Sequence, residues 1–113
     1  MTTSIAERIK APANFIDNQT RPATQTHECR NPADQNDLVG LVPESSHAEI
    51  DAALAAATAA LPGWQATPAP VRGDLIRAWI ALIADHTDEL ASLMTREMGK
   101  PLAESRAELG RAR

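Results

Sequence analysis

The chain has 113 residues, room for one small domain. Apolar residues make up 43% of it, much of that alanine, with one Phe, two Trp and no Tyr, so any core rests on a limited set of Leu, Ile, Val, Met and Trp side chains. A net charge of −4 without a run of Lys or Arg excludes a basic nucleic-acid surface.

The first dozen residues carry no periodic pattern, and Pro12 would end any helix begun between Ile5 and Ile9. They have neither the apolar stretch nor the small-residue cleavage site of a secretory signal. No segment reaches the roughly 18 apolar residues of a membrane span. The lone Cys29 cannot form an internal disulfide and suits a reducing compartment. The expected location is the cytoplasm, with no membrane and no nucleic acid among the partners.

Asn14-Phe15-Ile16-Asp17 reads as a short strand, followed by Asn18 and Gln19 as turn residues without the usual glycine. His27 to Arg30 reads as a second strand, and the two together suggest a hairpin. Asn31 to Asp37 is a cluster of turn formers. Leu38 to Val42 is a clearer strand, stopped by Pro43, which cannot donate to a ladder.

From Ser46 the signals become helical. Ser46 and Glu49 have the spacing of a capping box. Ile50, Ala53, Leu54, Ala57 and Leu61 recur on one narrow face, and Pro62-Gly63 is expected to close that helix. Trp64 to Ala66 would be a link, and Thr67-Pro68 a cap with proline at the first helical position. Leu75, Ile76, Trp79, Ile80, Leu82 and Ile83 form the strongest apolar stripe, which reads as core packing and ends at Asp85-His86. Thr87, Asp88 and Glu89 open another helix with acids at the positive end of its dipole, and Leu90, Leu93, Met94 and Met98 make its inner face. Gly99 is a left-handed stop, and Pro101 begins a last helix without a terminating Gly or Pro. Three or four helices over three short strands do not close a sheet, so the apolar faces are expected to need a further layer.

The chemistry-bearing residues make no constellation. Cys29 could in principle be a nucleophile, but Glu28 and Arg30 beside it push a thiol in opposite directions and no helix N-terminus is predicted to face it. The plain reading is an ordinary strand cysteine. His27, His47 and His86 have no metal-ligand spacing; Cys29 with His27 would lack two ligands. Glu104 and Glu108 share a helix face with Glu97, Lys100 and Arg106 nearby, which reads as a solvated face of charge pairs rather than an acid–base couple. The glycines at 40, 63, 73, 99 and 110 form no phosphate-binding motif.

Three stretches, in order, carry a resemblance. Asn31-Pro32-Ala33 with Val39-Gly40 is similar to the signature that opens aldehyde dehydrogenases. Ile50 to Trp64, IDAALAAATAALPGW, resembles their alanine-rich helix. Thr67 to Pro101 resembles the block that follows, which here includes Arg72, Leu75, Arg77, Asp88-Glu89-Leu90-Ala91 and Thr95-Arg96-Glu97-Met98-Gly99-Lys100-Pro101-Leu102-Ala103-Glu104. Phe15-Ile16-Asp17 resembles the family's first hairpin, departing at Asn18-Gln19. The likeness covers nearly everything from residue 14.

The resemblance implies an α/β fold of which this is a piece: a short N-terminal hairpin and strand, then three to four helices, part of a cofactor-binding domain. Residues 1–13 would be a tail and 14–113 an incomplete N-terminal portion. It implies oxidation of an aldehyde to an acid with NAD or NADP, by a cysteine nucleophile and a glutamate that lie beyond the matched region. Cys29 precedes the Asn-Pro signature and is not that nucleophile. No catalytic, cofactor-binding or metal residue is carried over, and the piece is expected to bind no cofactor and to be inactive by itself. Glu108 falls near a monovalent-cation site of some members, with a carbonyl near Arg30 as co-ligand. The expected partner is the remainder of a dehydrogenase chain, which forms homo-oligomers in the family. The Asn31 to Gly40 wording is nearest to members acting on short semialdehydes. The alternative is a small helical interaction module that has kept a remnant of the fold.

Overall fold

The computed structural model describes residues 12–112, which leaves the helix considered between Ile5 and Ile9 outside the described residues. Four strands precede four helices: β1 Ala13–Ile16, β2 Gln19–Pro22, β3 Thr26–Asn31, β4 Asp34–Pro43, α1 His47–Ala66, α2 Ala69–Asp85, α3 Thr87–Met98 and α4 Leu102–Arg111.

The strands make two separate antiparallel hairpins, β1 with β2 and β3 with β4. This corrects the expected pairing of residues 14–17 with 27–30. The chain reverses at Asp17-Asn18 instead, with φ of 54° and 55°. Asp and Asn tolerate the left-handed region better than other non-glycine residues, so the hairpin closes without glycine, and Gln19 already pairs with Ile16. The expected long turn from Asn31 to Asp37 shrinks to Pro32-Ala33. The Asn31 side-chain oxygen accepts from the Ala33 amide at 2.9 Å, which holds the reversal. Asp34, Gln35 and Asn36 are polar because they lie on an exposed part of β4, not because the chain turns there.

The capping box at Ser46 forms. The Glu49 amide donates to Ser46 Oγ at 3.3 Å, and the Ser46 amide donates to Glu49 Oε2 at 2.9 Å. Asn14 Nδ2 donates to Glu49 Oε1 at 3.1 Å and Ser45 Oγ at 3.0 Å, tying β1 to the start of α1. Contrary to expectation, α1 runs through Pro62-Gly63 to Ala66. Pro62 removes one intrahelical donor, and the helix continues through it. Thr67 is therefore the C-cap of α1, its Oγ1 donating to the Gly63 carbonyl at 2.9 Å. Pro68 becomes the N-cap of α2, so that helix starts one residue later than expected.

α3 and α4 pack through small residues. Ala91 and Ser105 are both fully buried, and the Thr95 and Ser105 hydroxyls share a hydrogen bond of 2.9 Å. Between these helices Gly99 adopts φ 71° and lies against the Pro32-Ala33 turn. A Cβ there would stand 2.7 Å from Pro32 Cγ.

Among the described residues only Ile16, Ala91 and Ser105 are buried, and α1 and α2 bury nothing. The stripe read as core is open: Leu75 is 54% exposed, Trp79 61% and Leu82 59%. The radius of gyration is 16.6 Å, against about 13 Å for a compact domain of this length.

Gly99→Ala should destabilise the chain by at least about 1–2 kcal/mol from the left-handed backbone alone, with the Pro32 clash adding to it. A urea midpoint unchanged by the substitution would contradict this account of the corner.

Candidate functional site

The residues that could carry chemistry are dispersed. Cys29 is half-buried on β3 opposite Gly40, and His27 is exposed opposite Val42. His47 begins α1. His86 joins α2 to α3 with Nδ1 at 3.5 Å from Glu89 Oε2. Among the described residues no three His, Cys, Asp or Glu side chains gather to hold a metal ion. Glu104 and Glu108 do not act as a couple. Glu108 takes Lys100 Nζ at 2.5 Å, which holds its carboxyl below the usual range, and Glu104 is exposed in the first turn of α4. Arg106 reaches Asp88 at 3.1 Å, linking α4 to α3.

The N-caps of the four helices are Ser46, Pro68, His86 and Pro101. No glycine-rich turn leads into any of them.

The strongest polar assembly is structural. Asp37 on β4 receives two bonds from the Arg96 guanidinium on α3, Nε to Oδ2 at 2.9 Å and Nη2 to Oδ1 at 2.5 Å. Asn31 Nδ2 adds a third at 3.2 Å, and Arg96 Nη2 also reaches the Leu38 carbonyl at 3.2 Å. The Arg96 and Asn31 hydrogen bonds pull the Asp37 carboxyl from its ordinary 3.8 to about 2, and the same pair raises Arg96. The sequence hid this contact, because its ends are 59 residues apart and Asp37 sits among turn formers.

The feature with the reach of a binding surface is apolar. A groove of about 460 Å³ is lined by Trp79, Leu82, Ile83, His86, Leu90 and Leu109, from α2, α3 and α4. A second hollow of about 370 Å³ lies between β1 and α1, against Phe15, Ile16, Ile50 and Leu54. No helix among the described residues is long and apolar enough to cross a membrane.

Small buried contacts at the Gly99 corner, an alanine-rich capped helix and uncovered apolar faces are what a segment of a larger α/β protein would show. Residues 19–113 match the Aldehyde dehydrogenase family, and the chain belongs to that family. It is 46% identical over 82 residues to the NADP(+) succinate-semialdehyde dehydrogenase of Escherichia coli, covering 73% of this chain and 17% of that protein. It is 43% identical over 88 residues to a glutarate-semialdehyde dehydrogenase of Pseudomonas aeruginosa, covering 78% of this chain and 18% of the relative. An aldehyde dehydrogenase crystal structure from Brucella melitensis superposes with a TM-score of 0.84 at 35% identity, over 96% of this chain and 23% of the other. Aldehyde dehydrogenase C of Pseudomonas syringae, solved with NAD+ and octanal, superposes with a TM-score of 0.81 at 31% identity, over 93% and 22%. The chain thus spans about a fifth of the length of the relatives it matches. The fold is the α/β arrangement the sequence implied, short antiparallel strands followed by four helices.

The Asp37–Arg96 pair predicts an acid sensitivity. The folded carboxyl titrates below its ordinary value, so its contribution is complete above about pH 4 and disappears as pH falls toward 2. Asp37→Asn should lower the urea midpoint at pH 7. It should also shrink the further loss seen in wild type between pH 4 and pH 2. Equal losses in the two proteins would refute it.

Proposed function

We propose that residues 14–113 are an N-terminal portion of an NAD(P)-dependent semialdehyde dehydrogenase, with residues 1–13 as a tail, and that their role is to scaffold its cofactor-binding domain. The observation that carries this is the uncovered apolar surface of α1 and α2 on a fold that superposes almost whole onto less than a quarter of larger dehydrogenases. Burying such faces is the dominant favourable term in domain assembly, and a polypeptide of the family's remaining length would supply the missing layer.

In this reading the whole protein converts an aldehyde, water and NAD(P)+ to a carboxylate, NAD(P)H and two protons. The chain's own residues touch none of the reacting atoms. They hold the hairpins against the α3–α4 corner and offer a groove to the downstream polypeptide. The chain alone binds no cofactor and oxidises no aldehyde. The semialdehyde class is supported by the likeness to the Escherichia coli and Pseudomonas aeruginosa semialdehyde dehydrogenases and by the Asn31 to Gly40 segment. A cytoplasmic home suits a free Cys29, and the assembled enzyme would be a homo-oligomer. The stand-alone interaction module is not favoured, since membership of the family already accounts for the exposed faces.

The test is a graft. Residues 14–113 replace the matching segment of the Escherichia coli succinate-semialdehyde dehydrogenase. The graft should oxidise succinate semialdehyde with NADP+, while the purified 113-residue chain should not. An inactive graft, or turnover by the chain alone, would sink the proposal.

A further inference from the structure

Neither α1 nor α2 holds a buried residue, so interdigitated side chains do not fix the angle between them. The corner must. α1 has no basic residue in its last turn, and its cap Thr67 is extended, at φ −67° and ψ 127°, rather than left-handed. Thr67 meets the Gly63 and Trp64 carbonyls, and the further bonds to carbonyls that a helix C-terminus leaves without partners come from the next helix. Arg72 Nη1 donates to the carbonyl oxygens of Trp64 at 3.3 Å, Gln65 at 3.4 Å and Thr67 at 3.0 Å. Its guanidinium carbon lies 5.9 Å from the centroid of the Trp64 ring, within cation–π range. Pro68 and Pro70 restrict the backbone on the α2 side. One side chain therefore caps α1, spans the link and is rooted in α2.

We propose that Arg72 is a positioning residue for assembly: it sets the α1–α2 angle and so presents the apolar stripe of Leu75, Ile76, Trp79 and Leu82 to the rest of a dehydrogenase. The identity of that partner rests on the function proposed above, while the setting of the angle does not. All three bonds leave one nitrogen, Nη1, while the guanidinium carbon stays over the Trp64 ring. Lysine offers a point charge and cannot do both.

The angle can be read with nitroxide labels on A55C in α1 and A81C in α2, both exposed positions, in a C29S background. Distances are measured by electron paramagnetic resonance in the 113-residue chain and in the graft. Arg72→Ala and Arg72→Gln should broaden the distance distribution about twofold while circular dichroism reports unchanged helix content. Arg72→Lys should fall between them and wild type. An unbroadened distribution, or broadening that comes with lost helix, would overturn the proposal. In the graft, Arg72→Ala should lower activity, and added guanidinium ion should restore it where ammonium at the same concentration does not. A loss that guanidinium fails to restore would also count against it. If the unsubstituted graft is itself inactive, the proposed function falls, and the label distances still decide the role of Arg72.

Discussion

The structure depends on one junction, where the β3–β4 hairpin meets the α3–α4 corner. Two contacts of different kind meet there. The Arg96 fork closes on Asp37 with Asn31 as a second donor, which fixes direction as well as distance. Gly99 brings bare backbone against the Pro32-Ala33 turn, an approach any side chain would block. Asn31 serves both contacts, since its oxygen holds the turn and its nitrogen holds Asp37. The Asn31-Pro32 motif and the Arg96 to Pro101 motif, far apart in sequence, are thus two halves of one joint.

Beyond that joint little is buried. Among the described residues the fully buried side chains are an alanine and a serine, which fix the close approach of α3 and α4 but remove little apolar area from water. The larger apolar side chains sit on α1 and α2 and on the groove between α2, α3 and α4. The order is therefore inverted relative to a self-sufficient domain: polar and glycine contacts set the geometry, and the hydrophobic payload faces outward. The relatives the chain matches are several times longer, and the proposed function assigns the covering layer to that additional length.

The helical half was legible because its signals are local. Ser46 and Glu49 are three residues apart, Thr87 and Gly99 bracket one amphipathic segment, and each acts within a turn of its own position. β2 was missed because Gln19-Thr20-Arg21-Pro22 shows no apolar alternation; only its pairing with β1 makes it a strand. The first half of β4 was read as turn for the same reason. Pro62-Gly63 has the composition of a helix end, but the cap is supplied by Thr67 four residues beyond Gly63. The Leu75 to Ile83 stripe reads as a helix face, and its exposure agrees with the expectation that the apolar faces need a further layer, since periodicity reports which side is apolar and not what lies against it. Asp37–Arg96 and Arg72–Trp64 needed three dimensions: the first joins distant segments, and the second depends on how two helices turn at a corner.

The central claim is that α1 and α2 are shaped for a layer outside these residues, while the hairpin and the α3–α4 corner hold by themselves. Amide hydrogen exchange of the 113-residue chain, compared with the same residues inside the grafted enzyme, tests it most directly. The account requires fast exchange along α1 and α2 in the chain alone, strong protection of both in the graft, and little change at Ala91 and Ser105. Equal protection of α1 and α2 in the two settings would contradict it.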